Sequence, residues 1–405
     1  MGSNYRKIGD FIRLVDTRNK GLRVKKLVGL TVNKQFIPSV ANIVGSDMEN
    51  YKIIKRGQFA CSLMQVRRDK KIPVALLREF DEAIISQAYP VFEVVDENIL
   101  APEYLMMWFS RSEFDREACF YAVGGVRGSL EWEDFCNMKL PIPPIEKQRE
   151  IVAEYQAVQK RIQLNEQLIQ KLEETAQAVY RRWFVEFEFP DEDGKPYKSS
   201  GGEMVWCEEL GKEVPEGWEV KQIGEVSELI NRGITPSYSE NEGLVILNQK
   251  CIRNNSIDTS FAKKHNLNKK KVPSEKLLEK YDILVNSTGD GTLGRVGLVK
   301  EEVPMTVDSH ITILRVNKNF NALFVWGDIS RRTEEIAHLA EGSTGQTELS
   351  RNKLAEMSIL VPDFIEQKKF ANILSQKIDY SFILEKENKQ LTQLKELLLS
   401  KLATV

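Results

Sequence analysis

Two long amphipathic helices, each entered through a proline hinge, close the two halves of a chain that is written twice. The first copy opens with Lys7-Ile8-Gly9-Asp10 and Leu14, the second with Gln222-Ile223-Gly224-Glu225 and Leu229, at an offset of 215. Their ends also correspond, because Met138, Pro143 and Gln148 return as Met357, Pro362 and Gln367 at an offset of 219. Few net insertions separate the copies, while their interiors diverge. A repeated unit with a changed interior implies one task performed at two related but different sites.

From Glu146 to about Phe184 an apolar stripe recurs at gaps of four and three: Ile151, Tyr155, Val158, Ile162, Asn165, Ile169, Leu172, Ala176, Val179 and Trp183. That period makes a narrow coiled-coil seam rather than a broad core face. After Pro362, Ile373, Lys377, Tyr380, Leu384, Glu387, Leu391, Leu394 and Leu398 continue the same gaps less regularly. Helices of about 37 residues are on the order of 55 Å long and need a partner to bury such a seam. The nearest partner is the other copy, so the expected arrangement is an antiparallel pair with internal pseudo-twofold symmetry. Asn165 inside the seam would set its register at some cost in stability. Asp363 and Glu366 have the spacing of a capping box, and Pro144 suits a first helical turn.

Within the first copy, β-rich runs are expected at residues 24–32, 51–66, 73–80 and 84–95, followed by a helix over 102–119. The second copy repeats the order with strands at 244–252, 282–287, 295–300 and 310–316, then a helix over 322–339. Each copy then has a glycine-rich loop, at 124–128 or 342–347, and a short helical turn. The fold class is α+β, with two mixed domains and the helical pair. Residues 190–217, rich in Pro, Gly, Asp and Ser, read as an exposed linker.

Composition excludes several classes. The chain has 405 residues, 42% of them hydrophobic, which is ordinary for globular protein. No secretory signal, CxxC pair or apolar run of about 18 residues occurs, so a reduced, cytoplasmic protein without a membrane partner is expected. The net charge of −2 conceals an asymmetry: residues 6–78 hold 17 Lys/Arg against 5 Asp/Glu, and residues 79–145 hold 4 against 13. Residues 231–280 hold 10 basic against 5 acidic, and residues 281–363 hold 8 against 12. If folding keeps these segments apart, each domain has a positive side suited to phosphates; if it interleaves them, the charges cancel.

Catalytic motifs are poorly supported. Gly289-Asp290-Gly291-Thr292-Leu293-Gly294 fits GxGxxG as a string, but a β-rich run follows where a nucleotide loop should open a helix. Asp191 with Asp193 and Lys195, and Asp363 with Glu366 and Lys368, are too compressed for a nuclease metal site. His265, His310 and His338 lack zinc-ligand spacing. No Walker lysine loop and no Asn-Pro-Pro-aromatic tetrad is present, so neither a catalytic residue nor a metal site is assigned.

The repeated elements resemble the specificity (S) subunit of type I restriction-modification systems. The residues that carry the resemblance are Pro144-Ile145-Glu146-Lys147-Gln148, then Arg182-Trp183-Phe184-Val185-Glu186-Phe187, Gly201-Gly202-Glu203-Met204, Pro215-Glu216-Gly217-Trp218 and Phe364-Ile365-Glu366-Gln367. Lys147 stands where Glu is more usual, on an exposed first turn. The resemblance implies target recognition domains at 1–145 and 218–363, spacer helices at 146–189 and 364–405, and the linker at 190–217. It also implies a non-catalytic chain that binds double-stranded DNA, two modification subunits and restriction subunits. This chain would bind no cofactor; its partners would use S-adenosylmethionine, ATP and magnesium.

Candidate DNA contacts are Lys25, Lys26, Lys34, Arg67, Arg68, Lys70, Lys71 and Arg127 in the first domain. In the second they are Arg232, Lys250, Arg253, Asn254, Lys263, Lys264, Arg295 and Gln346. Arg and Lys can pair with guanine edges or phosphates, and Asn and Gln with adenine. Two other readings stay open at this point: a helical scaffold that binds no DNA, and a cryptic nuclease or methyltransferase.

Overall fold

A computed structural model describes residues 4–39, 47–123, 128–342 and 347–404. It divides into two compact units, residues 1–164 with 387–405, and residues 165–386. Both long helices, Ile145–Tyr180 and Phe364–Lys401, therefore contribute a segment to each unit.

The first unit is closed by a clasp in which Tyr5–Lys7 pairs antiparallel with Lys139–Pro141. The second has the same clasp, Glu219–Gln222 with Ser358–Val361. Lys7 sits opposite Lys139 and Gln222 opposite Ser358, the register that the two sequence offsets require. In both, the next amide bonds the carbonyl of the repeated methionine at 2.8 Å, Ile8 to Met138 and Ile223 to Met357.

Inside each clasp lies a four-stranded antiparallel sheet of identical connectivity. Its spatial order is Ile12–Val15, Val91–Val94, Phe59–Cys61 and Val74–Leu76 in the first unit. The second has Ser227–Arg232, Ile311–Val316, Ile283–Asn286 and Val296–Leu298. The second unit adds a further sheet in the order Tyr238–Ser239, Lys263–His265, Leu244–Leu247 and Met305–Val307. Successive strand residues bury opposite faces, and an aromatic core from Phe59, Phe92, Phe109, Phe114 and Phe135 fills the first unit.

Several expected spans are corrected. The strand over 51–66 stops at Cys61, and Val66–Asp69 forms a helical turn between Gln65 and Lys70, both in the left-handed region. Each predicted core helix is two: Pro102–Phe109 with Ser112–Tyr121, and Ala322–Ile329 with Thr333–His338. The break has the same cause in both copies. Ser110 and Ser330 end the first piece, and an arginine ties the corner, the buried Arg111 lying 4.2 Å over the Trp108 ring and the half-buried Arg332 bonding Asp328 at 2.7 Å. Two short helices can bury faces in different directions; one straight helix cannot.

The segment expected as an exposed linker is ordered. Met204–Cys207 pairs with Lys212–Pro215 as a hairpin, and Phe189 stacks between Tyr197 and Trp218 at 4.5 and 5.1 Å. The first long helix runs into this cluster through a π-turn, Arg181–Val185. Its wider turn lets the consecutive Trp183 and Phe184 both face the core, where they meet Phe370 at 6.0 and 5.1 Å.

In each unit the two helix segments run antiparallel. Residues 151–155 pack with Leu398, Leu399 and Leu402 in the first unit, and Arg161 grips Glu387 with two bonds of 2.9 and 3.0 Å. Ala176, Tyr180 and Trp183 pack with Phe370, Ala371 and Leu374 in the second. Along the first helix Ile151, Tyr155, Asn165, Ala176 and Trp183 are buried, and Val158, Ile162, Ile169, Leu172 and Val179 are half-buried. On the second helix Leu384 is buried and Leu391 and Leu398 are half-buried, but Ile373 and Tyr380 are exposed. Leu374, Ile378 and Ser381 face inward instead, so the expected stripe is displaced by one residue in that half. At the start of the second long helix the Asp363 carbonyl accepts the Gln367 amide at 3.1 Å.

Candidate nucleic-acid interface

Each recognition sheet is fixed to its helices by the repeated glutamine. Gln148, fully buried, accepts the Ala101 amide at 2.9 Å and donates to the Ile99 and Pro143 carbonyls at 2.8 Å. Gln367 accepts the Asn321 amide at 2.9 Å and donates to the Pro362 carbonyl at 2.8 Å. A side-chain amide carries both an acceptor and donors, so one residue satisfies the hinge and the start of the core helix, and Gln148 the preceding loop as well. The repeated motif is therefore a mounting bracket for whatever surface the domain presents.

That surface is basic, but less so than the sequence alone suggests. Among the described residues, five ion pairs join residues 6–78 to residues 79–145: Arg13–Glu93, Arg23–Glu82, Lys34–Asp115, Arg56–Asp81 and Arg78–Glu103. Folding thus interleaves the two segments and cancels part of the asymmetry. Lys25, Lys26, Arg67, Lys70 and Lys71 are exposed and make no ion pair among the described residues. Lys26 lies 3.1 Å over the Phe80 ring. Arg68 is paired with its neighbour Asp69 at 2.7 Å.

Lys34 is held by the fold. Its side chain is only 9% exposed, and its ammonium bonds Asp115 at 2.8 Å and the Phe109 carbonyl. Burial holds it below the ordinary lysine range, with Asp115 pulling in the opposite direction. Nothing in the local sequence marks Lys34 as buried; Asp115 lies 81 residues away. Arg127 and Gln346 lie outside the described residues.

In the second domain Lys250, Arg253 and Lys263 are exposed and Lys264 half-buried, and none makes an ion pair among the described residues. Arg253 lies 4.2 Å over Phe261 and Lys263 lies 4.4 Å over Tyr238, so each cation rests on an aromatic face without losing its charge. Arg232 is instead structural, pairing with Glu348 at 2.5 Å and bonding the Leu349 carbonyl at 2.7 Å. Arg295 bonds the Gly291 carbonyl at 2.7 Å. Asn254 belongs to the turn Ile252–Ile257, which faces the helices; with Arg253 it lines a cavity of about 710 Å³ containing Glu173, Lys300 and Glu385. Lys300 there bonds Glu385 at 2.7 Å.

One basic element was missed. Lys269, Lys270 and Lys271 are exposed on a loop held by His265, whose Nδ1 accepts the Ser237 amide at 3.0 Å while Nε2 meets the Lys270 carbonyl at 2.9 Å. The run of three lysines between Asn268 and Pro273 was the available signal. His310 pairs with Thr288 and His338 with its own helix carbonyl at Glu334.

The glycine-rich string 289–294 is a turn joining two antiparallel strands, not the start of a helix. Gly294, at φ 81°, allows no Cβ, because one would lie 2.5 Å from the Thr333 carbonyl. Asp191 accepts the amides of Asp193 and Lys195, a turn rather than a metal site. Burial raises the thiols of Cys61 and Cys251, the latter to about 11, which leaves neither poised as a nucleophile. Among the described residues no helix is long and apolar enough to cross a membrane.

The family model for the type I restriction modification DNA specificity domain matches residues 66–174 and 215–395, more than half of the chain and once in each copy. The chain belongs to this family. Among curated specificity subunits it is similar to that of the type I restriction enzyme HindI of Haemophilus influenzae, at 23% identity with 92% of each chain covered. It is also similar to the MjaIX specificity subunit of Methanocaldococcus jannaschii, at 22% identity over 76% of this chain and 70% of that one. The S subunit of a type I system from M. genitalium shares the fold, with a TM-score of 0.58 at 15% identity, covering 98% of this chain and 95% of the other. Specificity subunits are non-catalytic and carry no cofactor of their own, and they act on DNA together with modification and restriction subunits.

Proposed function

We propose that each half of this specificity subunit reads one half of a bipartite DNA target. The supporting observation is that the same clasp, sheet order and glutamine bracket occur twice while the unpaired cations they present differ. In the first domain, taken as residues 1–145, Lys25, Lys26, Arg67, Lys70 and Lys71 are the DNA contacts. In the second, 218–363, they are Lys250, Arg253, Lys263, Lys264 and the loop lysines 269–271. Two modest interactions carried on one chain become a single selective one when half-site separation suits the link between them. A 36-residue helix is about 54 Å long, comparable to about 16 base pairs at a rise of about 3.4 Å.

The assembled complex pairs the chain with two modification subunits that methylate adenine N6 from S-adenosylmethionine, and with restriction subunits that use ATP and magnesium, in the cytoplasm. Base-resolution mapping of adenine methylation in cells supplied with this chain and its modification subunits tests the reading. A two-part motif with an unread spacer is expected, and exchanging residues 1–140 for another recognition domain should change one part only. A change in both parts, or methylation without sequence preference, would refute it.

A further inference from the structure

Phe120 is 81% exposed at the end of helix Ser112–Tyr121, and its ring makes one aromatic contact, edge-on to Tyr121 at 5.4 Å. A ring this exposed contributes little to the core of its own domain. The second copy makes this plain. At the offset of 219 that relates the domain ends, Phe120 corresponds to Leu339, which packs against the core of its own domain, and at 215 it corresponds to the charged Glu335.

The surroundings of Phe120 are cationic. Together with Arg67, Lys70, Arg116 and Cys119 it lines a shallow hollow of about 410 Å³. Arg67 and Lys70 have no carboxylate partner among the described residues, and Arg116 has only an exposed contact with Glu113 at 3.4 Å. The turn carrying Arg67 is bracketed by Gln65 and Lys70 at φ 63° and 52°. Such non-glycine backbone is costly and concentrates at functional positions. An apolar ring beside unpaired cations suits a polyanion with apolar surface between its phosphates, which describes a nucleic-acid groove and not an acidic protein face.

Resting on the half-site reading above, we propose that Phe120 is a base-contacting specificity residue of the first domain, with Arg67 and Lys70 seating the flanking phosphates. The apolar base surface it meets is either a thymine 5-methyl group or the face of an opened base step. The end offset places the core-packed Leu339 at this position of the second domain, so this contact discriminates in the first half-site.

The test uses the full chain with its modification subunits and duplexes carrying the mapped target. Phe120→Ala should weaken binding to the target about tenfold and relax preference in the first half-site alone, with the salt slope unchanged. Phe120→Leu should restore part of the loss. Arg67→Ala with Lys70→Ala should instead weaken binding alike on all sequences and lower the salt slope by about 2. Replacing thymine by uracil in that half-site abolishes the Phe120 effect if a methyl group is read, and 2-aminopurine fluorescence rises only with Phe120 present if a step is opened. Unchanged preference in Phe120→Ala, or methylation lost equally in both halves at unaltered DNA affinity, would overturn the proposal. If the unsubstituted complex discriminates no sequence, the half-site reading itself fails.

Discussion

Single residues divide into those whose role the chain repeats and those whose role only burial assigns. Gln148 and Gln367 recur at a fixed offset and do the same work, so Gln148→Ala and Gln367→Ala should each destabilise the protein, by about 1–3 kcal/mol for each buried group left unpaired. Thermal or urea denaturation measures this, and a cost for one but not the other would contradict the shared bracket. Lys34 shows the opposite case. Lys34→Met strands the Asp115 carboxylate, at an expected cost of about 3–5 kcal/mol, while the salt dependence of DNA binding stays the same. Glu173 supplies a pH test. Burial, opposed by a bond from Asn255 and by Lys300, raises its carboxyl above the ordinary range, with Glu385 and Glu174 adding to the rise. The folded state then holds the proton more tightly than the unfolded chain. Its contribution is stabilising below the ordinary carboxylate range and is lost as pH rises through the raised value. Glu173→Gln should therefore raise the melting temperature at pH 7 and change it little near pH 4.

Elements were legible where their periodicity admits one solution. The first long helix has one unbroken stripe, and the buried and half-buried positions follow it. The second has apolar residues on two neighbouring faces, Ile373, Tyr380 and Ile383 on one and Leu374, Ile378 and Leu384 on the other. Local pattern cannot choose between them; the aromatic cluster around Phe370 does, through packing. Leu374→Ala should cost about 2–5 kcal/mol, whereas Ile373→Ala should stay within about 1 kcal/mol. A larger cost at Ile373 than at Leu374 in denaturation would mean that the stripe lies where the sequence placed it. The broken core helices have a similar origin, since Ser110 and Ser330 permit a stop but the contacts of Arg111 with Trp108 and of Arg332 with Asp328 enforce it.

For the whole molecule, the charge asymmetry illustrates how a linear property changes on folding. Counted along the chain, residues 6–78 carry a large basic excess; in space, five carboxylates from the following segment neutralise part of it. The residual cations are thus a better guide to the interface than the total. If the helix pair acts as a ruler, deleting one turn from each long helix should change the permitted spacer between half-sites, measured by methylation mapping of the complex. An unchanged spacer would separate helix length from target geometry.

The sequence by itself determined the duplication and the paired long helices, which are written in short-range periodicity and fixed offsets that survive divergence, and its repeated motif strings carried the resemblance to the family. Tertiary structure alone decided which cations remain unpaired, that Lys34 and Arg232 serve the fold, that residues 190–217 form a hairpin and aromatic stack, and that Phe120 faces outward. Those outcomes depend on contacts between residues tens of positions apart, where burial and the nearest opposite charge are set by the packing of the whole domain.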